Sequence, residues 1–98
     1  MLSNYDIINI SNKHKRTIQA IFKEPIPKNL EWRNIESLFL AIGTIKIEGA
    51  GSRVRFEYDG VVAIFHRPHP QKEAKPYQVK DAKVFLKKIG VNHERNDV

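Results

Sequence analysis

The residues in this 98-residue chain whose types and spacing suit chemistry are two histidines, three arginines and two lysines. They are Arg53 and Arg55, then His66 and Arg67, then His69, Lys72 and Lys75. An imidazole exchanges a proton near neutral pH and can take one from a ribose 2′-hydroxyl. Guanidinium groups hold phosphate oxygens and stabilise charge that builds on them. Neighbouring positive charge also favours the neutral imidazole that a general base needs. The set therefore has the parts for phosphodiester chemistry, with His66 the first choice for the proton carrier and His69 the second. A structural role for His66, as a histidine at the end of a strand, competes with this reading. No metal or other cofactor is expected. His66-x-x-His69 offers two ligands, cysteine is absent, and Glu57 is the one acid near them on the same face, which is too few for a zinc site.

The elements that must position these groups lie between Gly43 and Pro70. Residues 44–48 alternate, with Ile45 and Ile47 on one side and Lys46 and Glu48 on the other. Gly49, Ala50 and Gly51 interrupt the pattern. Residues 52–58 alternate again, and Asp59-Gly60 is the two-residue signal for a type I′ hairpin leading into 61–66. A two-residue loop sets Tyr58 opposite Val61, Phe56 opposite Ala63 and Val54 opposite Phe65, all on one apolar face. The other face then pairs Glu57 with Val62, Arg55 with Ile64 and Arg53 with His66. One histidine and two arginines are thereby predicted to share the solvent side of the sheet. Prolines on both sides of His69 exclude regular pairing beyond it.

Helices flank this sheet. Ser11 or Asn12 is placed to cap a helix over residues 13–23 with a narrow apolar stripe of Ile18, Ile21 and Phe22, and Pro25 and Pro27 close it off. Its lysines and Arg16 suit either a solvated face or an arm that holds phosphates. Asn29 is expected to cap a second helix, with Glu31 in its first turn, Trp32, Ile35, Leu38, Phe39 and Ile42 on its buried side, and Gly43 as its stop. Trp32 belongs to that stripe and is read as core, not as a platform for stacked bases. A third helix is expected over residues 77–89, with Val79, Ala82, Phe85, Leu86 and Ile89 inward, lysines outward and Gly90 at its end. Residues 1–10 form a short strand or a loose arm, and residues 92–98 a tail. Runs of antiparallel strands bracketed by helices imply an α+β fold with helices on one face of a three-stranded antiparallel sheet and the other face open.

The length implies one domain with a modest core. The formal net charge of +6 points to a polyanionic partner, with RNA the foremost case. No apolar run is long enough to span a membrane and no signal-peptide pattern opens the chain. With cysteine absent, a reducing cytoplasmic location fits. Gly49-Ala50-Gly51-Ser52 is too short for a P-loop and precedes a strand, so Gly51 and Ser52 are read as a tight turn. No nucleophile elbow is present.

Taken in order, several features from Trp32 to Val91 resemble the HicA toxins of bacterial toxin–antitoxin pairs. They are the short helix ending at Gly43, the Gly51-Ser52 turn entering a strand, and the Asp59-Gly60 hairpin. They continue with Pro68-His69-Pro70 followed by Lys72 and Glu73, and the closing helix with Val84-Phe85-Leu86 and Ile89-Gly90-Val91. The resemblance implies a double-stranded-RNA-binding-like domain over residues 31–91, preceded by a helical extension over 1–30. It also implies an mRNA-cleaving ribonuclease that works without a metal, and a HicB-like antitoxin protein as partner. The family's catalytic histidine directly follows the Gly-Ser pair, and here that place is taken by Arg53. Either the acid–base group has moved, with His66 directly across from Arg53 as its first candidate, or the chain binds RNA without cutting it. A third reading is a small protein whose open sheet docks a partner.

Overall fold

The computed structural model describes residues 10–92. The elements run α1 (Asn12–Ile21), α2 (Trp32–Ala41), β1 (Ile45–Glu48), β2 (Arg53–Tyr58), β3 (Val61–His66) and α3 (Pro76–Lys88). The expectations for residues 1–9 and 93–98 lie outside the described residues.

The hairpin follows from its turn. Asp59 and Gly60 have φ of 50° and 82°, the positive pair that a type I′ turn requires. That fixes Tyr58 against Val61 and, further out, Arg55 against Ile64 and Arg53 against His66, in the register expected from the sequence. The sheet order is β1-β2-β3, all antiparallel. Val54, Phe56 and Phe65 are buried on the helix side. There Phe39 of α2 meets Phe56 edge-on at 4.9 Å and Phe85 of α3 at 5.1 Å, while Trp32 packs 5.0 Å from Phe65. Ile18, Ile21 and Phe22 of the α1 segment belong to the same core. The result is the α+β, double-stranded-RNA-binding-like arrangement, with helices over one sheet face.

Helix limits follow local chemistry. Ser11 caps α1, its side chain accepting from the His14 amide at 3.3 Å. α1 ends at Ile21, before the prolines. α2 stops where Gly43 takes φ of 99°, and the Thr44 hydroxyl and amide both donate to the Phe39 carbonyl. Asn29 does not cap α2, and Glu31 is the capping residue instead of lying in the first turn. The reason is long-range: Leu30 to Trp32 is held extended by residues 72–74. The Ala74 amide donates to Leu30 and the Trp32 amide to Lys72, bracketing a bridge between Glu31 and Glu73. Capping preference at Asn29 is weaker than these cross-chain bonds.

β1 pairs Ile45 with Glu57 and Ile47 with Arg55, so both isoleucines face the open side and are 65% and 42% exposed. Lys46 and Glu48 face the helix side at the sheet edge.

Candidate functional site on the open sheet face

The end of the β2–β3 ladder presents Arg53, Arg55 and His66 together on the open face. The turn before β2 sets Arg53. Gly51 has φ of 64°, the Arg53 amide donates to the Ala50 carbonyl at 3.2 Å, and the Gly49 amide donates to the Arg53 carbonyl at 2.9 Å. A methyl group at Gly49 would stand 3.1–3.3 Å from Cβ, Cγ and Cδ of Arg53, so the arginine stem lies along the bare Gly49 backbone. The Arg67 amide donates to the Ser52 carbonyl at 2.9 Å, extending the pairing one residue past His66.

His66 is held from behind by a buried glutamine. Gln78, 2% exposed, donates its side-chain amide to the His66 carbonyl at 2.7 Å and accepts from the Lys75 amide at 3.0 Å. One side chain thus ties the end of β3 to the first turn of α3. The His66 and Arg53 side chains are exposed and have no side-chain partner among the described residues. Arg55 pairs with Glu57 of the same strand face at 3.3 Å, an exposed contact worth well under about 1 kcal/mol and open to exchange for a phosphate.

Arg67 is placed differently. Strand alternation turns it to the helix side, where its Nε and Nη2 donate to both Glu36 oxygens at 2.9 Å. Its Nη1 and Nη2 donate to Glu48 at 2.7 and 2.9 Å. Lys46 adds a 3.3 Å contact to Glu36, and the Trp32 indole N–H a 2.9 Å hydrogen bond. Hydrogen bonds from Arg67, with smaller contributions from Trp32 and Lys46, outweigh burial and hold the Glu36 carboxyl down at about 2. The Arg67 hydrogen bonds also lower Glu48, and both carboxylates raise Arg67 above its already high range. With most guanidinium donors committed to carboxylates, little of Arg67 remains for a phosphate.

His69, Lys72 and Lys75 lie on the loop beyond β3 and are exposed. Part of that loop and the start of α2 enclose a cleft of about 350 Å³ walled by Trp32, Pro68 and Pro70, with Arg33 and Lys72 at its sides. The structure therefore gathers Arg53, Arg55 and His66 on the open face, turns Arg67 to the helix side and leaves His69, Lys72 and Lys75 on the loop beyond β3. No group of three or more His, Asp or Glu side chains suited to a metal converges among the described residues. Sequence reasoning passed over Gln78 and Glu36. The signal for Gln78 was a glutamine three residues after the helix start at Lys75-Pro76, a capping pattern. The signal for Glu36 was a lone acid one turn after Trp32 on a mostly apolar stripe.

A small basic α+β domain with an exposed histidine beside two arginines on an open sheet is thus the class that fold and site define. Residues 32–91, more than half of the chain, match the family model of the HicA toxin of bacterial toxin–antitoxin pairs. The chain belongs to the HicA toxin family, and that family implies an antitoxin partner. No curated protein and no solved structure matches it significantly. None of the helices among the described residues is long and apolar enough to cross a membrane.

Proposed function

We propose that this chain is an mRNA-cleaving toxin of the cytoplasm, silenced by a HicB-like antitoxin. In this reading the HicA domain over residues 31–91 carries the chemistry and residues 1–30 are an extension. The observation that carries it is the pairing of His66 with Arg53 on the open face. Arg53 stands where the family pattern has histidine, and the imidazole enters the same neighbourhood from the adjacent strand. His66 takes the proton of a ribose 2′-hydroxyl, and the 2′-oxygen attacks the adjoining phosphorus. The 5′-oxygen departs and gains a proton, leaving a 2′,3′-cyclic phosphate. Arg53 and Arg55 hold the non-bridging oxygens and stabilise the charge they gain. His69 is the second candidate for proton transfer, and Lys72 and Lys75 steer the strand beyond the scissile bond.

The test is cleavage of labelled single-stranded RNA in the presence of chelator by the wild type and by His66→Ala and His69→Ala. Cleavage abolished in His66→Ala, with binding retained, supports the assignment. Full cleavage by a folded His66→Ala protein overturns it. The absence of histidine at position 53 favours a second reading, an RNA-binding module of the same fold that does not cut. RNA bound but left intact by the wild type would establish it.

A further inference from the structure

The protein's positive charge does not reside mainly at the His66 face. The α1 segment from residue 12 to 28 holds Lys13, Lys15, Arg16, Lys23 and Lys28 against Glu24 alone, and α3 holds four lysines against Asp81. These two segments carry nine cations and two acids, so with a chain total of +6 everything else is slightly negative. They also meet. Lys83 of α3 places its ammonium 3.0 Å from Glu24 and 5.7 Å from the centre of the Phe22 ring, which fixes where the end of α1 lands. Lys80 and Lys87 lie one turn either side of Lys83 on the same helix face, about 10 Å apart. Lys23 sits between the two residues that touch Lys83, and Lys15 is two turns before Phe22 on the same side of α1. Lys23, Lys80 and Lys87 are exposed and Lys15 is half-buried, and these four ammonium groups have no partner among the described residues. Lys88 is turned the other way, lining the groove beside Val62 and Ile64 on the far side of α3.

We infer that the seam between α1 and α3 is a second RNA-binding surface, distinct from the cleavage face, which grips the phosphate backbone of single-stranded RNA without reading its bases. The inference rests on the proposal that this chain acts on RNA. It gives α1, which lies outside the residues that match the family, a task of its own: it turns the helical layer of a HicA domain into an anchor. Lysines spread along two packed helices suit a flexible chain of phosphates, whose binding is governed by counterion release. One contact already competes for the site, since Glu24 occupies Lys83.

The experiment measures equilibrium binding of a fluorescent 30-nucleotide RNA by the full chain across a range of salt. The comparison is between wild type and Lys15→Gln/Lys23→Gln/Lys80→Gln/Lys87→Gln, with Lys88→Gln as the control on the opposite side of α3. Each lost phosphate contact lowers the log–log salt slope by about 0.7, so the quadruple variant loses between about 2 and 3 from its slope. At low salt its affinity falls at least tenfold, and Lys88→Gln changes the slope by less than one contact. A thermal melt verifies that the variant is folded, and Glu24→Gln gives an independent readout: it frees Lys83 and tightens RNA binding. An unchanged slope in a folded quadruple variant, or no gain from Glu24→Gln, overturns the inference while leaving the RNA reading in place. A wild type that binds no RNA overturns both.

Discussion

His66 and Arg67 are consecutive residues that serve opposite ends. His66 projects from the open face with no side-chain partner among the described residues and its backbone clamped by Gln78. Arg67 turns inward and joins α2 to the end of β1 through Glu36 and Glu48. A strand reverses side-chain direction at every residue, so two basic neighbours can be a reactive group and a rivet. Charge near a candidate site is thus no measure of charge available to a substrate. What decides is whether a carboxylate already holds the cation.

Substitution should separate the two roles most sharply at the histidine. His66→Ala is expected to lower RNA cleavage by about 10²- to 10⁴-fold, the span of a lost proton carrier. Its melting temperature should stay close to that of the wild type, because an exposed side chain without partners is worth within about 0.5 kcal/mol. Arg67→Ala should show the reverse pattern. It strands the half-buried Glu36 carboxylate and is expected to cost about 3 kcal/mol in denaturant unfolding, discounted from fully buried pairs because Glu48 is exposed. If Arg67→Ala proved neutral to stability but lost RNA affinity, the contrast drawn between the neighbours would be broken.

The sequence made the reactive side of this contrast legible and hid the structural side. Asp59-Gly60 sets the hairpin register through local chemistry, so the Arg53–His66 pairing was open to reading. The Arg67–Glu36 contact spans 31 residues and depends on how α2 docks, which no local pattern encodes. Alternation carried one step past His66 would have shown that Arg67 follows Phe65 to the inner face. The same parity puts Glu48 beside it, since Glu48 pairs with buried Val54. The start of α2 was misread for a related reason, because Asn29 is an attractive cap locally while Leu30 is committed to Ala74 across the fold. Ile45 and Ile47 fall on one side of the alternation, and as edge-strand residues opposite Glu57 and Arg55 they add exposed apolar surface to the open face.

Acid titration sharpens the clamp. Glu36 titrates at about 2 in the folded chain against an ordinary 4.5. A depressed carboxyl contributes stability that is fully present above the unfolded value and is lost as pH falls through the folded one. Unfolding free energy should therefore drop between about pH 4.5 and 2. Glu36's share is on the order of 2 kcal/mol after allowing for partial solvent access. Glu36→Gln should flatten that part of the pH profile, and a profile equally steep in the variant would assign the acid sensitivity elsewhere.

The support behind His66 is testable through Gln78. Gln78→Ala leaves the His66 carbonyl and the Lys75 amide without their partner and is expected to cost about 2 kcal/mol, read by denaturant unfolding. Gln78→Glu keeps an acceptor for the Lys75 amide but sets a carboxylate oxygen against the His66 carbonyl. It should therefore lower cleavage more than Gln78→Ala does at equal folded fraction. Equal cleavage in the two variants would reduce Gln78 to a helix cap with no hold on the histidine.

The smallest effect belongs to the turn side of the pair. At Gly49 an added methyl meets the Arg53 stem at 3.1–3.3 Å, tighter than ordinary contact, and the nearest atom is Cβ, which side-chain rotation does not move, so the backbone must give by a few tenths of an ångström. Cγ and Cδ can swing away while Cβ and the turn shift slightly, so Gly49→Ala should cost about 1 kcal/mol. The displaced stem, however, no longer rests on the bare Gly49 backbone, and the guanidinium loses that support. Cleavage should fall a few-fold, with the larger loss in KM because Arg53 carries no proton and grips the bound phosphate, and a smaller loss in kcat from its share in stabilising the charge on the oxygens. A change in kcat alone would mean that Arg53 acts on the transition state more than on the bound strand. It would then share the histidine's role instead of merely bordering it.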